Sequence, residues 1–359
     1  MKRMKKICAL AVSALMAGAL FTGCGTTKAS SAASETQAAA ESTAGAQAAG
    51  ETASAGSAET VKLDHQVLVG IDQLVQHPAL DAATKGFEDE LKAKLGDQVK
   101  FDEQNAAGDS STAATIANNL VQEKCDLILA NATAALQAVH SATSDIPVLG
   151  TAITDYGTAL DISDFNGTVG GNISGTSDLA PLDQQAALFD EVLPDAKTIG
   201  ILYCSAEPNS KYQADEVQKY LEEAGKTVKI YTFSDSNDVQ SVTKSAVGEC
   251  DALYIPTDNT AASCAETINN VAQPAKIPII AGEEGIMSGC GIATLSIDYY
   301  ELGKVTGDMA VKILTGESNV SEMPIEYYKN PVKEYDKDRC EALGIEIPDG
   351  FTEYKADEE

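Results

Sequence analysis

The sequence predicts an α/β protein of two similar open parallel-sheet lobes with a ligand cleft between them. Three observations carry this reading. Apolar runs of strand length alternate with helical stretches from Gln66 onward. The patterns of the first half recur roughly 125–131 residues later. The loops expected at the carboxyl ends of the strands are polar and matched between the copies.

The chain opens with Lys2, Arg3, Lys5 and Lys6, then an apolar run from Ile7 to Phe21, then Thr22-Gly23-Cys24. A charged start, a short apolar segment and small residues before a cleavage point are the order of a secretory signal. The cysteine at that point resembles a bacterial lipobox, whose thiol takes a diacylglycerol. A signal over 1–23 and a lipid on Cys24 are therefore expected. No later stretch approaches the ~20 apolar residues of a membrane-crossing helix. From Gly25 to about Thr60 the residues are Ala, Ser, Thr, Gly, Gln and Glu, with no large apolar side chain. Such a segment cannot bury enough surface to offset its ordering entropy. A flexible tether is expected over 24–63.

In the first copy the expected strands are Val67–Ile71, Val99–Asp102, Leu127–Ala130 and Pro147–Thr151. Leu80, Ala83, Phe87, Leu91 and Leu95 keep one face of a helix between the first two. Ile116, Leu120 and Val121 do so after the start signal Asp109-Ser110-Ser111. Strands alternating with helices mean a parallel sheet covered on both faces. The second copy repeats the first. Ile199-Gly200-Ile201 matches Val69-Gly70-Ile71, and Glu207-Pro208 falls where His77-Pro78 fell. Asp258-Asn259-Thr260 echoes Asn131-Ala132-Thr133, and Ile277-Pro278-Ile279 echoes Ile146-Pro147-Val148.

In open parallel sheets ligands bind outside the carboxyl ends of the strands. The loops there are Asp72–His77, Asn131–Thr133 and Thr151–Asp155 in the first copy. In the second they are Ser205–Ser210, Thr257–Asn259 and Gly282–Gly285. Helix capping explains any one such residue. Six polar loops at corresponding strand ends point to two rims facing across a cleft.

A formal net charge of -29 argues against nucleic acid and anionic bilayers as partners. Cys125, Cys204, Cys250, Cys264, Cys290 and Cys340 show no CxxC or Cys/His metal spacing, so no metal or other cofactor is expected. Free thiols in apolar runs behave as small buried hydrophobes. Disulfides are compatible with export, and the sequence does not pair them.

An enzyme needs a placed acid, base and nucleophile. No G-x-S-x-G elbow occurs. The glycines of 167–171 do not follow a strand and open a helix, as a dinucleotide site requires. Of the three histidines, His65 ends the tether and His140 lies on a helix. His77 precedes a proline at a helix's first turn, where the missing N–H is tolerated. A base would not be His in one copy and Glu in the other, so His77 reads as a rim residue. Gln73 is the better candidate to touch a ligand, and no catalytic residue is expected.

The stretches "VGIDQLVQHPALDAATKGFEDEL", "NGTVGGNISGTSDLAPL", "IGILYCSAEPNSKYQ", "ALYIPTDNTAAS" and "IDYYELGKVTGDMAVKILTGE" cover nearly the whole folded region. With them the chain resembles the substrate-binding lipoproteins of ABC importers that take up aromatic amino acids, chiefly tryptophan, tyrosine or phenylalanine. The resemblance implies the type I periplasmic binding protein fold, with three crossings near Asn172–Asp178, Gly291 and Glu317–Met323. Lobe 1 would then be 64–172 and 292–318, and lobe 2 173–291 and 319–359. It implies a monomer on the extracytoplasmic face of the membrane, lobes that close on the ligand, and docking on a permease.

Carried onto this chain, the ligand-binding residues are Gln73, Thr133, Ala134 and Asp155 in lobe 1, and Ser177 and Asp178 at the hinge. Lobe 2 would offer Asn209, Ser210, Asp258, Asn259 and Glu284. An α-ammonium group wants a carboxylate, which Asp155, Asp178, Asp258 or Glu284 could supply. An α-carboxylate wants backbone N–H groups at a helix start, which Thr133-Ala134 offers. The absence of Arg and Lys from these loops counts against a phosphate, sulfate or dicarboxylate. Leu74, Val75, Ile153 and Tyr156 are the apolar candidates for the ligand's side chain. The same fold also serves branched-chain amino acids, nucleosides and sugars, and a sensor that signals to a membrane receptor would share this pattern.

Overall fold

The computed structural model describes residues 62–355. The expected signal, Cys24 and all but the last two residues of the expected tether lie outside the described residues.

The first sheet contains β1 (Val67–Gln73), β2 (Val99–Asn105), β3 (Leu127–Asn131), β4 (Val148–Ile153) and β5 (Ile173–Ser177). All run parallel, in the order β2-β1-β3-β4-β5. Helices α1 (Pro78–Leu95), α2 (Ser110–Glu123), α3 (Thr133–Ala142) and α4 (Tyr156–Ala159) connect them. Helix α1 begins at Pro78 and buries Leu80, Ala83, Phe87, Leu91 and Leu95, the face its periodicity marks. Fully burying side chains of the size of Leu or Phe favours folding by about 1.5–3 kcal/mol each.

The second lobe follows with α5 (Leu182–Val192), β6 (Thr198–Cys204), α6 (Pro208–Glu223), β7 (Thr227–Phe233), α7 (Val239–Val247) and β8 (Ala252–Ile255). Then come α8 (Asn259–Ser263), α9 (Ala265–Ala275), β9 (Ile279–Ala281), α10 (Glu284–Gly289) and β10 (Ala293–Ser296). The parallel order β7-β6-β8-β9-β10 reproduces that of the first sheet. The sequence echo is thus an echo of topology. Each sheet is covered by apolar clusters on both faces.

The chain then returns to the first lobe as α11 (Tyr299–Leu314), which packs along α1. The approach is close: a Cβ on Gly86 would lie 2.0 Å from the Tyr300 carbonyl oxygen, and one on Gly303 2.1 Å from that of Ala83. Only glycine fits at these two points. Strand β11 (Glu326–Tyr327) pairs with β5 at the edge of the first sheet. β12 (Val332–Tyr335), α12 (Lys337–Leu343) and β13 (Thr352–Glu353) complete the second.

Sheet membership puts the first crossing at the end of the expected Asn172–Asp178 stretch and the other two beyond their expected positions. β5 belongs to the first sheet, so the first crossing follows Ser177 and not residue 172. β10 pairs with β9, so the second follows Ser296 and not residue 291. β11 pairs with β5, so the third follows Tyr327 and not residue 318. In each case the last short strand before the crossing completes the sheet it leaves.

Candidate functional site: an interlobe cleft

The carboxyl ends of β1, β3, β4 and β5 face those of β6, β8 and β9 across the cleft. In the second lobe the rim closes on itself through carboxylates. Asp258 caps α8, accepting from Ala261 N–H at 2.7 Å, while its other oxygen accepts from Cys204 N–H at 2.6 Å. Glu207 reaches the same helix start. One oxygen accepts from the Thr260 N–H and hydroxyl at 2.8 and 2.7 Å. The other accepts from the Asn259 N–H and amide at 3.0 and 2.8 Å. Burial, then Glu207 beside it, pushes the Asp258 carboxyl well up. Glu283 caps α10 through the Gly285 and Ile286 N–H groups, both at 2.6 Å. Burial pushes its carboxyl up to about 8.

The first lobe treats its rim differently. No side chain caps α3, and its first bond runs from Leu136 N–H to the Ala132 carbonyl. The N–H groups of Thr133 and Ala134 therefore point out of the helix start. Ala132 is held at φ 87°, a left-handed conformation that a side chain disfavours. His77 does not take the capping role that Glu207 has in the other copy. Its Nε2 lies 3.2 Å from Asn259 Oδ1 across the cleft. The Asn259 amide nitrogen donates to Glu207, so Oδ1 accepts and His77 Nε2 carries the hydrogen. Burial lowers the His77 pKa, which keeps the ring neutral. Its buried Nδ1 has no hydrogen-bond partner.

At the hinge, Asp178 follows β5 and is 3% exposed. Its Oδ2 accepts from the Tyr299 hydroxyl at 3.0 Å, while Oδ1 has no partner. Burial pushes this carboxyl up to about 6, against the hydrogen bonds from Tyr299 and Thr154. Thr154 Oγ1 also meets Gln213 Nε2 of α6 at 3.4 Å, a second polar contact across the cleft. Asn209, one turn before Gln213, keeps a buried Oδ1 without a partner. A pocket of about 180 Å³ is lined by Leu74, Val75 and Ala134 from the first lobe. Cys204, Ala206 and Asn259 line it from the second.

Several of the expected site residues are engaged by groups of the protein itself. Gln73 is the clearest case. Its amide donates to Asp81 at 2.6 Å and the Val75 carbonyl at 3.1 Å, and its oxygen accepts from Thr84 at 2.6 Å, all within the first lobe. Asp155 caps α4 through Thr158 N–H. Ser177 donates to the Thr154 carbonyl and Ser210 to the Thr257 carbonyl. Ile153 and Tyr156 belong to the first lobe's core and not to the pocket wall. Glu284 stands beside Glu283 in the first turn of α10. Glu207 and Glu283 stand in expected rim loops but were not among the expected ligand-binding residues, and Gln213 and Tyr299 were not expected in the cleft. For Glu207 the signal was its alignment with His77. For Tyr299 no local pattern exists, because Asp178 lies 121 residues away. Among the described residues the six cysteines are free, no His/Cys/Asp/Glu group could hold a metal, and no helix is long and apolar enough to cross a membrane.

Two lobes with one repeated topology, three chain crossings and a polar cleft define a type I binding protein. The chain belongs to the ABC transporter substrate binding protein family, which residues 68–358 match. It is 37% identical over 328 residues to a tyrosine-binding protein of Clostridioides difficile (strain R20291), covering 90% of this chain and 88% of that one. An ABC domain from Streptococcus pneumonia in complex with L-Trp is 37% identical with a TM-score of 0.76, over 79% of this chain and 96% of that one. A substrate-binding protein with adhesive properties from Clostridium difficile, in a ligand-free, open structure, is 40% identical. Its TM-score is only 0.62, over 80% of this chain and 99% of that one. The open structure overlays less well despite the higher identity. That accords with the buried hydrogen bonds that join the lobes here, which define a closed arrangement.

Proposed function

We propose that this binding protein captures one free amino acid, of the aromatic class, and presents it to the permease of an importer. The observation that carries the reading is the pairing of an uncapped helix start in one lobe with a half-free buried carboxylate at the hinge. The N–H groups of Thr133 and Ala134 suit an α-carboxylate, aided by the helix dipole. Asp178 Oδ1, with Asn209 Oδ1, suits an α-ammonium group. Among the described residues no Lys or Arg is buried. The ammonium role considered for Asp155 and Asp258 passes to Asp178, because those two cap helices. Leu74, Val75, Ala134, Cys204 and Ala206 offer an apolar wall to the side chain. The aromatic class is supported by the tyrosine and tryptophan named for the two relatives.

The protein acts by binding and closing, without chemistry. Its histidine at the cleft is paired with the Asn259 amide. It works as a monomer at the extracytoplasmic face, tethered by a lipid on Cys24. Radiolabelled fatty acid that is incorporated equally into a Cys24→Ala variant would remove the anchor from this reading.

Calorimetry against the twenty amino acids, nucleosides and sugars tests the ligand class. L-tyrosine, L-tryptophan or L-phenylalanine should bind and raise Tm by mass action. A response to a sugar or nucleoside alone overturns the proposal.

A further inference from the structure

Asp178 and Tyr299 stand on two different crossings of the hinge. Asp178 is the first residue after β5, where the chain leaves the first lobe. Tyr299 is the first residue of α11, where it comes back. Their side chains meet at 3.0 Å, both buried, and the bond ties the two crossing segments together. The hydroxyl holds Oδ2 and leaves Oδ1 free. The Asp178 N–H is fixed on the Ile153 carbonyl, and the Thr154 side chain supplies a further hydrogen bond. Thr154 in turn touches Gln213 of the opposite lobe. A single carboxylate thus sits where both hinge segments and the second lobe converge.

We propose that Tyr299 is a positioning residue for the ligand: it aims Asp178 at the α-ammonium group and couples that contact to the hinge. This rests on the reading of Asp178 as the ammonium partner. The groups facing Asp178 are Thr154, Tyr156 of α4, Tyr299 of α11, and Glu283 at the start of α10. None is a cation. The ionised carboxylate is therefore held by hydroxyl donors and, when present, by the ligand. Hydrogen bonds that favour the charged form lower a carboxyl's pKa. Loss of the Tyr299 hydroxyl raises that of Asp178 and lets its oxygens swing.

The test compares Tyr299→Phe, Asp178→Asn and the double variant, with L-tyrosine and L-tryptophan as probes and binding followed from pH 4.5 to 8. Tyr299→Phe should weaken binding about ten- to a hundred-fold, as expected for a hydrogen bond to a charged group. The pH below which affinity declines should move upward. In the Asp178→Asn background the same change should have little further effect, because coupled residues are not additive. Tyr300→Phe, which touches surface Asp89, is the control. If Asp178→Asn binds as the wild type does, the ammonium site itself is misassigned. If Asp178→Asn fails to bind while Tyr299→Phe keeps the wild-type Kd and pH midpoint, Tyr299 has no positioning role. An additive loss in the double variant with an unmoved midpoint also overturns the role, because a packing defect alone behaves that way.

Discussion

Helices α3 and α8 start at corresponding points of the repeat, and their first turns are treated in opposite ways. The start of α8 receives two carboxylates, from Asp258 and Glu207. The start of α3 receives none. Asn131, which aligns with Asp258, turns instead to the Leu80 carbonyl and the Thr84 hydroxyl. His77, which aligns with Glu207, reaches across to Asn259. Two copies of one unit thus divide the work. One helix start is capped by the protein's own carboxyl groups, and the other has no side-chain cap, which suits the role proposed for it with an anion from outside. A symmetric pair of open starts would suit two anions, not a zwitterion.

The largest break in this comparison would come from making the lobes alike. His77→Glu would place a carboxylate beside α3, as Glu207 stands beside α8. Binding of L-tyrosine or L-tryptophan should fall at least a hundred-fold by calorimetry, since an anion at a helix start competes with the ligand's carboxylate. Unchanged affinity would dissociate α3 from ligand binding. Asp258→Ala tests the other side. It should lower stability by about 1–3 kcal/mol in denaturant titrations, through a lost cap and an unpaired Cys204 N–H. Ligand affinity of the folded fraction should stay within about threefold, a change of well under 1.4 kcal/mol.

Acid sharpens the comparison at the hinge. The Asp178 carboxyl sits at about 6 without ligand, above its ordinary value, and an ammonium group favours its ionised form. Affinity is therefore full above pH 6 and falls as pH drops through 6, about tenfold per unit until the pKa of the complex is reached. A flat profile between pH 7 and 5 would exclude Asp178 as the partner. The smallest effect belongs to Asn259→Ala. Removing the hydrogen bond to His77 should favour the open form and weaken ligand binding a few-fold, about 0.5–1.5 kcal/mol. Small-angle scattering of the ligand-free variant should show a larger radius of gyration.

The two sheets were legible because each strand and helix carries its own period, and because the second half repeats the first. The crossings were less so. β5 reads Ile173-Ser174-Gly175-Thr176-Ser177, with little apolar signal. Its polar side chains are satisfied inside the fold, Ser174 on the Met323 carbonyl and Thr176 on Thr306. At the rim, the helix start at Thr133 was legible from the repeat. The direction of the Gln73 side chain was not, because it depends on Asp81 and Thr84 one and two turns into α1. Carboxylates that cap look the same in sequence as carboxylates that bind. Tyr299 became visible only when folding brought two distant crossings together.

The formal charge of -29 treats every carboxyl as ionised. Asp72, wholly enclosed at the end of β1 with neither oxygen partnered, is pushed by burial up to about 8, as is Glu283. At pH 7 both retain their protons for most of the time. These two groups alone should then take nearly two negative charges from the folded protein's migration in an electric field relative to the unfolded chain, and return them as the solution passes pH 8.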